Sequence, residues 1–129
     1  MGRRPAEQGS GERGVTRRID LLGAHELAEG EMRMAWVDGG ATPVLVVHQG
    51  GDFRAFQGTC THQYFELDRG FLTAGTLTCA LHLSRFDLVD GEPLDPPAEV
   101  PLAQYEVQVV EGRVTIEVSD GPLAFNEPE

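Results

Sequence analysis

Cys60-Thr61-His62 and, sixteen intervening residues later, Cys79-Ala80-Leu81-His82 constrain this chain more than any other stretch of it. Together they use both cysteines and two of the four histidines. Each knuckle pairs one thiol with one imidazole at short range. Structural zinc sites usually pair like with like, Cys-x2-4-Cys against His-x3-5-His. A mononuclear ion gains nothing from mixed knuckles, but a dinuclear core does. Each loop can set its thiolate on an inner iron and its imidazole on an outer one. A two-iron cluster ligated in that mixed way has an intermediate potential and moves one electron at a time. The spacing points to a carrier rather than a reagent, with zinc and chance as the competing readings.

The rest of the chain reads as β-structure. Thr16–Leu22 predicts a first strand and Ala24–Ala28 a helical turn closed by Gly30. Glu31–Val37 and Pro43–His48 flank Asp38-Gly39-Gly40, a hairpin signal. Phe53–Gln57, Thr76–Cys79 and Arg85–Leu88 predict further short strands. Gln104–Val110 and Arg113–Val118 predict a hairpin about Glu111-Gly112, with Val114, Ile116 and Val118 inward and Thr115 and Glu117 outward. Between them Glu92–Pro101 is a stiff, proline-rich loop. No segment keeps a helical period for three turns, so the expected fold is all-β. It is an antiparallel sandwich or barrel with an inserted loop subdomain carrying both knuckles. Residues 1–15 have almost no apolar content and are expected to be a disordered tail. Residues 16–120 then form the domain and 121–129 a C-terminal tail.

Charge narrows the partners. The net charge is −11, yet residues 1–18 carry a balance of +3, so residues 19–129 carry −14. Such a body is repelled by nucleic acid and anionic lipid and drawn to basic protein surfaces. No apolar run approaches the roughly 18–20 residues of a membrane helix; the longest, Val44–Val47, is strand-sized. The stretch after Arg17-Arg18 is too short and too charged for an export signal. Cysteines placed for metal suit a reducing compartment, so the cytoplasm is expected. No P-loop, Gly-rich dinucleotide fingerprint or Ser-His-Asp set is present, so the chain takes no hydride and is not expected to be an enzyme.

Beyond the four candidate ligands, Phe56–Gln63, Leu67 with Gly70, Thr78–Asp87, Asp90-Gly91-Glu92-Pro93 and Leu102–Val107 resemble the Rieske family, over about residues 17–120. The resemblance implies one [2Fe–2S] cluster, with Cys60 and Cys79 on one iron and His62 and His82 on the other. It implies a soluble, monomeric ferredoxin that takes single electrons from an NAD(P)H-dependent flavoprotein reductase. These pass to a terminal oxygenase, of either an aromatic dioxygenase or a toluene-type di-iron monooxygenase system. Neither nucleic acid nor membrane is an expected partner. The alternative is the small Rieske-like subunit of an assimilatory nitrite reductase. A terminal oxygenase is set aside, because residues 83–129 hold no histidine for a second iron site.

Departures from the family pattern bear on the potential. Respiratory-complex relatives carry a disulfide between the loops, for which this chain has no further cysteines. They also place a tyrosine near Phe86, whose hydroxyl donates to a ligand sulfur; Phe86 has none to give. Thr61 replaces a frequent proline and Leu83 a frequent glycine. Two thiolates on an oxidised core of charge +2 make a neutral site, and four would make it −2, so imidazole ligation eases reduction. Hydrogen bonds to sulfur raise the potential further, and here Ser84 is the remaining candidate. The expected value is therefore at the low end of the Rieske range, about −150 mV.

His25 and His48 are read as structural or solvated, not as ligands, and Trp36 as core. Tyr64, Phe65, Leu81 and Leu83 are expected to keep water from the cluster and to offer a docking rim. Glu66, Asp68, Asp87, Asp90 and Glu92 lie near the loops and have two equal readings, steering of a basic partner or an ordinary solvated face.

Overall fold

The computed structural model describes residues 16–61, 65–81, 83–95, 98–119, 123 and 125–126. The 1–15 tail, His62, Gln63, Tyr64 and His82 lie outside the described residues.

Strands form where β-branched and aromatic side chains recur, and they break at glycine-rich turns. In chain order they are β1 (Thr16–Gly23), β2 (Glu31–Val37), β3 (Thr42–Gln49), β4 (Asp52–Gln57), β5 (Phe71–Thr73), β6 (Thr76–Thr78), β7 (Arg85–Asp87), β8 (Gln104–Val110) and β9 (Arg113–Ser119). Among the described residues, two single-turn 3₁₀ segments, Ala24–Glu26 and Leu67–Arg69, complete the regular structure. Six strands make one curled antiparallel sheet in the order β1-β9-β8-β4-β3-β2. Its halves meet at a short seam, Ala55 opposite Tyr105 and Phe56 opposite Gln104. A second sheet, β5-β6-β7, is the inserted subdomain. The all-β expectation with an inserted loop region is met.

Turn chemistry sets the registers. Val110 pairs with Arg113 across Glu111-Gly112, and both turn residues have positive φ, 51° and 78°. That is the two-residue hairpin whose twist matches the strands. Asp38, Gly39 and Gly40 likewise take positive φ between β2 and β3.

The apolar run Val44–Val47 is wholly buried because β3 is covered on both faces. Leu45 and Val47 point into one core cluster with Phe56, while Val44 packs with Ile116 and Tyr105, and Val46 with Val114 and Leu22. Alternation along a strand sends neighbours to opposite faces, so one strand serves both layers. The small sheet lays Leu72, Leu77 and Phe86, aligned in register, against Leu45, Val47 and Phe56. Burying a side chain such as Phe86 is worth about 1.5–3 kcal/mol.

Two expectations need correction. Trp36 is 51% exposed rather than core, because it lies near the end of edge strand β2, beyond the cover that Met34 finds over Gly58. Thr115, on β9 between flanking strands β1 and β8, is buried, not outward; its Oγ1 donates to the Gln108 carbonyl of β8 at 2.9 Å. Strand β5 had no counterpart in the sequence pattern, since three residues carry no readable period. In the C-terminal segment, Leu123 is buried with Val37 and Val44, and Asn126 hydrogen-bonds the domain.

Candidate metal centre

Two hairpin tips carry the cysteines. In the first, Thr59 bridges Glu66, and the Cys60 N–H donates to the Phe65 carbonyl at 2.9 Å. In the second, which extends β6 and β7, the Cys79 N–H donates to the Ser84 carbonyl at 2.9 Å. Each cysteine thus opens a loop closed by a backbone bond to the residue five places on. Leu83 also donates to the Cys79 carbonyl and sits at φ +62°, a left-handed bend unusual for a side chain of that size. By sequence position, His62 falls within the first closure and His82 within the second.

The loops are pressed together by glycine. A Cβ on Gly70 would lie 1.9 Å from the Thr78 carbonyl oxygen, so only hydrogen fits there. A Cβ on Gly58 would lie 2.5 Å from Met34 Sδ and 2.6 Å from Pro43 Cβ. The proline-rich loop closes the other side. Arg85 holds Asp95 through two bonds of 2.5 and 3.1 Å, and Phe86 bridges Pro93. The Thr61 hydroxyl donates to the Val100 carbonyl, and the Ala98 N–H donates to Ser84 Oγ at 3.3 Å.

Cys60 and Cys79 are each 2% exposed and belong to one apolar cluster with Phe56, Leu67, Leu77, Phe86 and Leu102. Two thiols in a shared dry pocket are a donor pair suited to a soft, sulfide-bridged iron core. Among the described residues no group of three or more His, Cys, Asp or Glu is gathered for a metal. The two further expected donors are His62 and His82, outside them. His25 is exposed in the 3₁₀ turn after β1. His48 contacts the Leu27 carbonyl through Nδ1 at 2.8 Å and stacks on Phe53 with centroids 4.0 Å apart. Neither belongs to the core cluster that holds the cysteines.

The flanking residues divide. Phe65 packs against the cysteine cluster, whereas Leu81 and Leu83 are exposed at the second tip. The acidic set divides too: Asp87 accepts the Val89 N–H at 2.7 Å and Asp90 the Glu92 N–H at 3.0 Å, both turn-forming bonds. Glu66 pairs with Arg69 at 3.6 Å, while Asp68 and Glu92 are exposed. Sequence reading missed Gln57, a fully buried amide at the mouth of the first loop. It gives no signal beyond a polar residue at a strand end.

A small curled sheet, with a three-stranded insert presenting two cysteine hairpins, defines an iron–sulfur domain. The chain belongs to the Rieske [2Fe-2S] domain family, whose pattern matches residues 18–106. It is 34% identical over 101 residues to the ferredoxin component of biphenyl 2,3-dioxygenase from Rhodococcus jostii, covering 78% of this chain and 92% of that one. It is 36% identical over 99 residues to the ferredoxin component of an alkene monooxygenase system from Xanthobacter autotrophicus, covering 76% and 79%. Among solved structures, a chain in the complex of reduced oxygenase and oxidised ferredoxin in carbazole 1,9a-dioxygenase superposes with a TM-score of 0.71. The two share 29% identity over 87% of this chain and 95% of that one. A Mycobacterium tuberculosis protein described as an NADH-dependent nitrite reductase small subunit superposes at 0.70 over 83% and 99%. At 19% identity this is likeness of fold alone.

Proposed function

We propose that this chain is a Rieske ferredoxin that relays single electrons from an NAD(P)H-dependent flavoprotein reductase to the terminal oxygenase of a multicomponent hydroxylating system. One observation carries the reading: both cysteines lie in a single dry cluster, each opening a hairpin closed by the same backbone bond. Cys60, His62, Cys79 and His82 would hold the group, which when bound supplies a one-electron couple. Phe56, Leu67, Leu77 and Phe86 keep water from the sulfur side. Exposed Leu81 and Leu83 form an apolar rim at the second tip, where a partner would seat. The chain transfers electrons and makes no bonds of its own.

The ferredoxin components among its relatives support the oxygenase assignment, and they come from both a dioxygenase and a monooxygenase system. The nitrite reductase alternative has only likeness of fold behind it. No helix among the described residues is long and apolar enough to cross a membrane. Cysteines given to iron accord with work in the cytoplasm. Purified protein should contain about two iron and two acid-labile sulfide per chain, with a mixed-ligand paramagnetic signal on reduction. Zinc without sulfide would sink the reading.

A further inference from the structure

The Gln57 side chain is wholly buried and all four of its hydrogen-bonding positions are filled. Nε2 donates to the Thr59 carbonyl and to the Asn126 carbonyl, both at 3.0 Å. Oε1 accepts the Ala103 N–H at 2.7 Å and the Asn126 N–H at 3.0 Å. One amide therefore joins three separate segments: the first cysteine loop, the entry to β8, and the C-terminal segment. Asn126 is fastened a second time, its Nδ2 donating to the Pro101 carbonyl at 2.8 Å. Leu123 anchors the same segment in the core, and Phe125 lines a hollow with Pro43 and Thr59.

Thr59, which Gln57 holds, directly precedes Cys60. On the other side of Cys60, Thr61 donates to the Val100 carbonyl. The cysteine is thus tied on both flanks to residues 100–103, and the C-terminal segment closes that tie. Side-chain amides that satisfy backbone groups in a dry interior fix geometry, because any slip leaves a polar group unpaired.

We propose that Leu123 and Asn126 form a clasp on the first cysteine loop, acting through Gln57 as a positioning residue for the iron pair. This rests on the reading of Cys60 as a ligand. Loss of the clasp lets the loop relax, which alters the ligand geometry and lets a chelator reach the iron.

The full chain, reconstituted with iron and sulfide, is compared with Asn126→Pro and Gln57→Met. Asn126→Pro removes two of the clasp's donors without touching the loop. Val114→Ala is the control, weakening the core around Leu22, Leu27 and Val46, away from both the cysteine cluster and Leu123. The clasp predicts normal loading in Asn126→Pro, at least three-fold faster iron loss to a chelator, and displaced g-values in the reduced state. Val114→Ala should lower the melting temperature and leave the g-values unmoved. A spectrum and loss rate for Asn126→Pro equal to the parent's would overturn the proposal, as would equal shifts in Val114→Ala. Should Gln57→Met fail to fold, Asn126→Pro decides alone. If the parent chain itself takes up no iron and sulfide, the ligand reading fails and the clasp falls with it, a different outcome from a loaded parent with unaltered variants.

Discussion

Gly70 approaches Thr78 so closely that a Cβ on it would sit 1.9 Å from the Thr78 carbonyl oxygen. The contact locks the end of the first cysteine loop onto β6, one residue before Cys79. Gly70→Ala must push the two loops apart. Overpacking of this kind costs about 1–3 kcal/mol, and iron and sulfide content should fall with it. Unchanged metal content and unfolding free energy would show that the loops need no such lock.

The histidines separate ligand from scaffold. His62→Ala and His82→Ala should lose the visible spectrum of the cluster or alter it grossly. His48→Ala removes a contact to Leu27 and a ring stack on Phe53. It should cost about 1–2 kcal/mol of stability and leave the spectrum intact. Identical spectra in all three variants would refute the ligand assignment.

Phe86 is wholly buried and has no hydroxyl to donate to sulfur. The midpoint potential should lie near the bottom of the Rieske range, about −150 mV. Phe86→Tyr should raise it, and Ser84→Ala should lower it while orphaning the Ala98 N–H. A parent potential well above zero, by redox titration, rejects this account.

Electrostatic steering should rest on Asp68 and Glu92, since Asp87 and Asp90 already serve their own turns. Neutralising Asp68 and Glu92 together should slow electron transfer with the reductase or oxygenase about two- to ten-fold at low salt, and hardly at all at high salt. Stopped-flow rates that ignore both salt and substitution remove these acids from the mechanism.

The Arg85–Asp95 pair predicts a pH dependence. The side-chain hydrogen bond from Arg85 holds the Asp95 carboxyl below its ordinary value of 3.8. Because the folded value is the lower one, the pair stabilises the fold above about pH 4 and loses that contribution as pH falls through the folded value. Arg85 stays charged throughout. Asp95→Asn should therefore lower the melting temperature at pH 7, and the gap from the parent should shrink on acidification below pH 4. A gap independent of pH would mean that the pair does not stabilise the fold.

Local chemistry made much of this protein readable in one dimension. The two knuckles announced the cluster because thiol and imidazole at those spacings have few other uses. The long strands followed from alternation and from Asp-Gly, Gly-Gly and Glu-Gly turns, which act over two to four residues. Trp36, Thr115 and β5 went unread because exposure at a sheet edge, cover by neighbouring strands and a three-residue strand all depend on partners distant in sequence. For the same reason only the folded chain reveals why Gly70 must be glycine, which acids are already committed to turns, and how Gln57 gathers Thr59, Ala103 and Asn126. Hydrogen bonds and steric contacts between remote segments leave no periodic trace, since the chain between them is free to be of any composition.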